Sequence, residues 1–273
     1  MPIGLIAGNS TFPFLVLRAA RQMGHDVTVV AIEGEAFPAL ETLARDLGGT
    51  TFRWVPLGQL QACITALRET GVSRAVMAGQ VKHVKLFSDV QPDALMTSVL
   101  RSLGGANTDA LISGVAGALV AHGIALMDST AFLAELMARP GVLTANTPSE
   151  GMQADFDFGY RVADAIAGLD VGQTIIVKNR AVVAVEAMEG TDAAIQRAGA
   201  LAGAGARAIK VAKPSQDMRF DVPVVGVATV AAMQAAGVDG LSIDAGKTLV
   251  LDGDAFVRAA DAAGIVVVGR RLA

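Results

Sequence analysis

Short apolar runs alternate with amphipathic segments along most of the chain. Ile3–Ala7 and Val27–Ile32 are uncharged, strand-like runs, and Phe12–Met23 between them carries apolar residues at helical spacing. Strands that alternate with helices in this way favour a mostly parallel sheet with helices on its faces. The alternation therefore predicts an α/β fold that begins with a Rossmann-like domain.

The alternation is interrupted between Arg139 and Pro148, where two prolines and several small polar residues indicate a linker. We therefore predict two domains that flank this segment. The first is an N-terminal Rossmann-like domain of mostly parallel sheet over residues 1–137, and the second is a C-terminal α/β domain with a mixed sheet over 151–273. A linker over 138–150 joins them.

The C-terminal domain contains a hairpin signal. Thr174–Lys178 and Ala181–Ala187 are apolar runs separated only by Asn179 and Arg180. Two residues of this kind between strand-like runs are typical of a tight β-hairpin turn. An antiparallel pair is therefore expected inside an otherwise alternating pattern.

The composition excludes several classes of protein. The mean hydropathy is +0.49, but no uncharged apolar run reaches the roughly 18 residues that a transmembrane helix needs. The net charge is −4 without a basic block, so nucleic acid is not an expected partner. The single cysteine, Cys63, cannot form an intramolecular disulfide and favours a cytoplasmic location.

Two glycine-containing loops in the N-terminal domain are candidate ligand sites. Gly8, Asn9 and Ser10 join the first strand to the first helix, where backbone N–H groups can bind a phosphate. The spacing is not that of a dinucleotide-binding loop. A tight turn with Ser10 or Thr11 as a helix cap explains the same residues, so both interpretations stay open.

The second loop follows the predicted strand Ala75–Ala78 and contains Gly79, Gln80 and Lys82. Open α/β sheets bind ligands at the carboxyl ends of their strands, and Lys82 could neutralise a diphosphate there. An ordinary exposed loop is the alternative. Asp109 stands at a predicted helix start, where on its own it indicates an N-cap.

Three carboxylates lie close together in the C-terminal half. We expect Glu186 within an apolar strand, Glu189 at its end, and Asp192 in the first turn of a helix capped by Thr191. Carboxylate oxygens are the ligands that Mg²⁺ and Mn²⁺ prefer, which predicts a metal site. Alternatively, Asp192 only stabilises the helix N-terminus and Glu189 is solvated.

The segment from Lys213 to Asp221 carries charges of both signs. Pro214 lies inside it, and Pro223 follows it closely. Prolines exclude a regular strand here, so we predict an irregular loop. Loops that combine Lys, Arg and Asp serve binding or catalysis, although a surface loop with internal ion pairs is the alternative.

These residues resemble the LpxI-type UDP-2,3-diacylglucosamine pyrophosphatases of lipid A biosynthesis. The resemblance rests on Gly4-Leu-Ile-Ala-Gly8, Ala78-Gly79-Gln80-Val81, Glu189-Gly-Thr-Asp192, and Gln216-Asp-Met-Arg-Phe-Asp-Val-Pro223, in this order. It implies two α/β domains and hydrolysis of the substrate's diphosphate to UMP and 2,3-diacylglucosamine 1-phosphate, assisted by Mg²⁺ or alternatively Mn²⁺.

The resemblance also implies roles for individual residues. The catalytic candidates are Asp221, Asp217 and Glu189. The metal candidates are Glu186, Asp192 and Asp221. The candidates for substrate binding are Gly8, Asn9, Ser10, Gly79, Gln80, Lys82, Asp109, Lys213, Gln216 and Arg219.

The implied partner is a lipid-linked nucleotide sugar. Peripheral contact with the cytoplasmic face of the inner membrane is left open, and so is a homodimer. Two other functions remain as alternatives. One is an NAD(P)-dependent oxidoreductase, and the other is a non-catalytic protein that binds a nucleotide-sugar lipid.

Overall fold

The computed structural model describes residues 1–81, 91–103, 108–214 and 216–271, and only the backbone at 108 and 109. Lys82 therefore lies outside the described residues, as does the side chain of Asp109. The chain divides into two compact units. Unit 1 comprises Met1–Leu133 with Met218–Phe220, and unit 2 comprises Ala134–Asp217 with Asp221–Ala273. The predicted boundaries of the domains and linker stay a prediction.

Unit 1 is built on a five-stranded sheet in which every strand pair is parallel, in the order β3-β2-β1-β4-β5. The strands are β1 (Ile3–Ala7), β2 (Val27–Ile32), β3 (Thr50–Val55), β4 (Arg74–Ala78) and β5 (Ala125–Leu126). The helices are α1 (Phe12–Gln22), α2 (Ala39–Leu47), α3 (Leu60–Glu69), α4 (Ala94–Leu103) and α5 (Thr108–Ala121).

The central strands of this sheet are largely apolar and buried, without alternation between the two faces. All five residues of β1 are buried, and α3 contributes the buried side chains Ile64 and Leu67 to the same core as Val30 of β2. Sheets buried on both faces lack the alternation of apolar and polar residues. The predicted Rossmann-like, mostly parallel sheet is confirmed.

Unit 2 contains a mixed six-stranded sheet in the order β6-β13-β11-β9-β7-β8 and a small parallel pair, β10-β12. The strands are β6 (Gly141–Val142), β7 (Thr174–Lys178), β8 (Ala181–Val185), β9 (Ala206–Lys210), β10 (Val224–Val225), β11 (Val238–Asp244), β12 (Leu249–Val250) and β13 (Val266–Arg270). The helices are α6 (Glu150–Gly168), α7 (Thr191–Ala202), α8 (Val227–Ala236) and α9 (Asp254–Ala262), and a short 3₁₀ turn spans Ala134–Leu136.

The mixed character of this sheet comes from its outer strands. β9, β11 and β13 are parallel, whereas β7 runs antiparallel to β9, β8 to β7, and β6 to β13. The predicted mixed sheet of the C-terminal half is confirmed. Because β7 runs opposite to β9, the start of β7 lies beside the ends of β8 and β9.

The predicted hairpin is confirmed at Asn179 and Arg180. Both residues have positive φ, 51° and 59°, which is the conformation of a type I′ turn and matches the twist of the flanking strands. Asp155 of α6 is buried beneath the turn, and its carboxylate accepts the N–H groups of Asn179 (3.3 Å) and Arg180 (2.6 Å).

The second strand of the hairpin ends earlier than predicted. β8 stops at Val185, and the chain turns over the next residues. The turn is closed by the N–H of Gly190, which donates to Ala187 O, and by Glu189 Oε2, which accepts the N–H of Ala187. Glu186 lies one residue beyond β8, and its N–H still donates to Thr174 O of β7 at 2.8 Å. The placement of Glu189 at the end of the strand was wrong, because local hydrogen bonds replace the ladder after Glu186.

Within the described ranges, no helix is both long and apolar enough to cross a bilayer.

Candidate functional site

A polar cluster occupies one edge of the unit 2 sheet, where β8 and β9 end and β7 begins. Lys213 and Asp221, both predicted site residues, lie together there, with Lys213 Nζ 3.2 Å from Asp221 Oδ2. Lys213 Nζ also lies 2.5 Å from Asp170 Oδ1. The ammonium group is thus held between two carboxylates, and we call Lys213, Asp170 and Asp221 the lysine cluster.

Gln173 adds an amide to this cluster from the residue before β7. Its Nε2 lies 3.3 and 3.4 Å from the two carboxylate oxygens of Asp221. Asp221 therefore faces donors on two sides. Sequence reasoning missed both Gln173 and Asp170. A signal was available, because an antiparallel hairpin places the start of its first strand at the edge where its second strand ends.

The predicted irregular loop from Lys213 to Asp221 is confirmed, and Gln216 closes it. Gln216 Oε1 accepts the N–H of Lys213 (2.7 Å), and its Nε2 donates to the carbonyl of Asp221. The N–H of Asp221 donates to Asp217 O at 3.0 Å. The amide of Gln216 is therefore engaged within the loop, and its predicted contact with substrate stays a prediction, as does the catalytic role of Asp217.

A second, buried cluster lies around Glu186. Its Oε1 accepts the hydroxyl of Thr191 (2.8 Å), and its Oε2 lies 4.0 Å from Nζ of the buried Lys210. Lys210 donates to Thr191 Oγ1 at 2.9 Å and lies 3.4 Å from Thr174 Oγ1. Glu186 Oε2 itself has no hydrogen-bond partner in the described part of the chain. Sequence reasoning did not find Lys210, which is the last residue of β9.

Thr191 does not cap α7 as predicted. Gly190 occupies the N-cap position, and Thr191 is the first residue of the helix. The hydroxyl of Thr191 is instead shared between Glu186 and Lys210. Local capping preferences assign the hydroxyl of Thr191 to the N-terminus of the helix. In the structure this hydroxyl binds the buried pair of Glu186 and Lys210 instead.

Glu189 and Asp192 lie at the surface. Glu189 forms an ion pair with Arg197 at 2.5 Å, and the pKa of its carboxyl is lowered, first by its own backbone N–H and then by Arg197. Asp192 is exposed in the first turn of α7, where a carboxylate favours the helix dipole.

The predicted metal ligands do not form a preassembled centre. No group of three or more His, Cys, Asp or Glu side chains among the described residues is arranged to hold a metal ion. Glu186 faces Lys210 and Asp221 faces Lys213, so each carboxylate already has a cationic neighbour. Asp192 is exposed at the start of α7.

The five described N-terminal candidates come together at the carboxyl ends of β1 and β4. Asn9 and Gln80 form a two-way backbone bridge, with N–H···O distances of 2.7 and 3.2 Å, and the N–H of Gly8 donates to Ala78 O. The N–H of Ser10 donates to Asn9 Oδ1 (2.7 Å). The N–H groups of Gly8, Asn9 and Ser10 are therefore engaged internally.

The glycines in this bridge are sterically required. A Cβ on Gly8 would lie 2.6 Å from Gln80 O, and one on Gly79, whose φ is +88°, would collide with Asn9 O. The hydroxyl of Ser10 accepts the N–H of Phe12 at 3.2 Å, so it caps the first turn of α1. The N-cap position itself belongs to Thr11, which makes no side-chain cap bond, and Ser10 acts from one residue before it.

The bridge also bears on the oxidoreductase alternative. Strand order reverses between β1 and β4, and dinucleotides bind in α/β sheets at such a reversal, beyond the carboxyl ends of the strands. Backbone hydrogen bonds between Asn9 and Gln80 span this position. The structure therefore disfavours an NAD(P) site there.

Arg219 belongs to unit 1. The N–H of Ser129 donates to Met218 O at 2.8 Å, and its hydroxyl lies 2.7 Å from Arg219 O and 2.6 Å from Met77 O. The guanidinium of Arg219 lies 5.7 Å from the centroid of the Phe220 ring. The predicted contact of Arg219 with a diphosphate stays a prediction.

The fold and the lysine cluster define a protein of two α/β units with paired cations and carboxylates at one sheet edge. Both parts of the chain match domain models of one known family. Residues 2–136 match the LpxI N-terminal domain and residues 139–268 match the LpxI C-terminal domain. Over an alignment of 279 residues, the chain is 33% identical to the UDP-2,3-diacylglucosamine pyrophosphatase LpxI of Caulobacter vibrioides. The alignment covers 98% of this chain and 96% of that relative. The chain belongs to the LpxI family.

Proposed function

We propose that this protein hydrolyses the diphosphate of UDP-2,3-diacylglucosamine to UMP and 2,3-diacylglucosamine 1-phosphate, a step of lipid A biosynthesis. Family membership over nearly the whole chain supports this reaction, as does the name of the Caulobacter relative. The structural observation that carries it is the lysine cluster, which combines a cation and a carboxylate at 3.2 Å.

The chemistry explains why such a pair suits a diphosphate. Negative charge on the phosphates repels an attacking water, and a fixed ammonium group offsets that charge as it builds up in the transition state. A carboxylate at hydrogen-bond distance orients the water and accepts its proton. We assign the first role to Lys213 and the second to Asp221.

Substrate binding requires Lys213 to change one partner. Asp170 is the more exposed of its two carboxylates, with 40% of its side chain accessible against 28% for Asp221. In the proposed complex a phosphate oxygen replaces Asp170 beside Lys213, which brings the phosphorus next to Asp221. The contacts assigned to the N-terminal residues and to Arg219 belong to the same proposal, as do the additional roles of Asp217 and Glu189.

Assistance by Mg²⁺ or Mn²⁺ is also part of the proposal. Mg²⁺ is commonly bound by one or two carboxylates together with substrate phosphates and waters, so a preassembled centre is not required. Asp221 would hold such an ion jointly with the diphosphate, and the ion would offset phosphate charge. Loss of activity with a chelator, and its return with either metal, would support this requirement.

The decisive test is UMP release from UDP-2,3-diacylglucosamine by purified protein. Asp221→Asn keeps the shape of the side chain but removes the base, so we expect a loss of about 100-fold or more in kcat. Asp157→Asn, on the exposed face of α6, is the matched control and should retain activity. Turnover by Asp221→Asn within about threefold of wild type would contradict the role.

The same material tests the alternatives. Binding of the nucleotide-sugar lipid without turnover, in the presence of Mg²⁺ or Mn²⁺, would favour the non-catalytic alternative. Binding of NAD(P) detected by calorimetry would support the oxidoreductase alternative. A peripheral membrane location and a homodimer stay predictions, which flotation with liposomes and light scattering would test.

A further inference from the structure

Asp244, the last residue of β11, is a buried carboxylate with a position next to the lysine cluster. Its side chain is 1% exposed. Oδ2 accepts the backbone N–H of Ala212 at 2.8 Å, and Oδ1 accepts Arg270 Nε at 2.6 Å. A buried carboxylate is costly unless it is paired and hydrogen-bonded, and Asp244 meets both conditions.

The bond to Ala212 fixes the start of the loop that carries Lys213. The N–H of Val211 donates to Gln173 O at 2.9 Å, which ties the preceding residue to the start of β7. Asp244 ties the next residue, Ala212, to the opposite neighbour of β9. The backbone is thus held from both sides immediately before Lys213.

Arg270 prevents the carboxylate of Asp244 from turning away. Its guanidinium makes a two-point contact with Asp164 of α6, at 2.8 and 2.9 Å, and lies 4.2 Å from the ring centroid of Tyr160. Burial alone would lower the pKa of Arg270, but hydrogen bonds to Asp164 and Asp244 raise it above its ordinary value. Arg270 therefore stays charged and holds Oδ1 in place.

We propose that Asp244 is a positioning residue of the active site, which sets Lys213 against Asp221 through the backbone of Ala212. This inference rests on the proposed function, because it concerns the same lysine cluster. A displacement of about 1 Å in a substrate-positioning group can cost roughly 100-fold in rate. An isosteric Asn at position 244 has one acceptor oxygen, so it cannot satisfy both Ala212 and Arg270.

The experiment compares two variants, each of which replaces one of the two carboxylates that contact the guanidinium of Arg270. Asp244→Asn also disturbs the bond to Ala212, whereas Asp164→Asn leaves that bond intact. We expect Asp244→Asn to lower kcat for UMP release by about tenfold or more. Asp164→Asn should keep kcat within about twofold. It should also cost less thermal stability than Asp244→Asn, because the side chain of Asp164 is 46% exposed and that of Asp244 only 1%. Equal effects of the two variants on kcat would overturn the inference.

A second readout does not depend on activity. Acetylation of Lys213 by acetic anhydride, followed by mass spectrometry, reports how firmly its ammonium is held. Asp244→Asn should accelerate acetylation at Lys213 and Asp164→Asn should not. If wild type fails to hydrolyse the substrate, the proposed function fails, and acetylation alone decides the positioning role. Equal acetylation rates in both variants would then refute that role.

A measurement on wild type covers the case in which Asp244→Asn does not fold. The Ala212 amide should exchange its hydrogen only through global unfolding, because its acceptor is a buried carboxylate. Exchange of this amide at the rate of exposed loops would overturn the inference.

Discussion

The buried pair of Glu186 and Lys210 allows a quantitative test of what Glu186 does. The two side chains are 12% and 8% exposed, with 4.0 Å between Oε2 and Nζ. At an effective dielectric constant of about 20, two unit charges at this distance attract by ~4 kcal/mol. Removal of one partner leaves a buried charge uncompensated, which costs about 3–5 kcal/mol in comparable pairs.

We therefore expect Glu186→Gln and Lys210→Met each to lower the free energy of unfolding by ~3 kcal/mol. The double variant leaves no buried charge at this pair, so its loss should fall short of the sum of the single losses by about 2 kcal/mol. Asp192→Asn, at the exposed start of α7, is the control and should cost less than about 1 kcal/mol.

The assay is peptide-level hydrogen exchange across β7 and β9 at increasing urea concentrations, which reports the stability of this sheet directly. A coupling energy below about 0.5 kcal/mol would refute the reasoning. It would show that the two charges do not depend on each other. Glu186, with one oxygen lacking a hydrogen-bond partner among the described residues, would then be better explained as a carboxylate kept for a ligand.

Two further predictions follow from buried ionisable groups. Burial raises the pKa of the Cys63 thiol to about 12, so iodoacetamide at pH 8 should label Cys63 only after urea unfolds the protein; rapid labelling of folded protein would contradict this. Burial also raises the pKa of Tyr160 to about 12, against opposing effects of Ser242 and Arg270. Because Tyr160 is the chain's single tyrosine, absorbance at about 295 nm should show a midpoint near pH 12 in folded protein and near pH 10 in urea. The folded state binds this proton more tightly, so the stability contributed by Tyr160 is complete below about pH 10 and is lost as the pH rises towards 12. A midpoint near pH 10 in folded protein would contradict the burial of the phenol.

The parts of the structure that sequence predicted correctly depend on local signals. The buried run of β1 and the helical spacing of α1 are visible within a few residues, and so is the turn at Asn179 and Arg180. A buried strand gives an apolar run in the sequence, and a two-residue turn gives characteristic residues between two such runs. These signals were sufficient for the fold class and for the hairpin.

Several of the errors and omissions involve partners that are distant in sequence. Thr191 satisfies a local rule for helix caps, but Lys210, 19 positions away, uses its hydroxyl instead. Gln173 reaches Asp221 across 48 positions. A single polar residue at a strand end has no periodicity that would indicate its partner. The hairpin signal could therefore place Gln173 at this sheet edge, but it could not identify Asp221 as its partner.

The close approach of Gly8 and Gly79 limits how the first unit can be redesigned. A side chain at either glycine would meet a backbone carbonyl oxygen of the opposite loop, and no substitution can remove a backbone atom. Widening the space above β1 and β4 would therefore require loops of different length, not different side chains. An engineer who wanted a nucleotide pocket there would have to rebuild the backbone first.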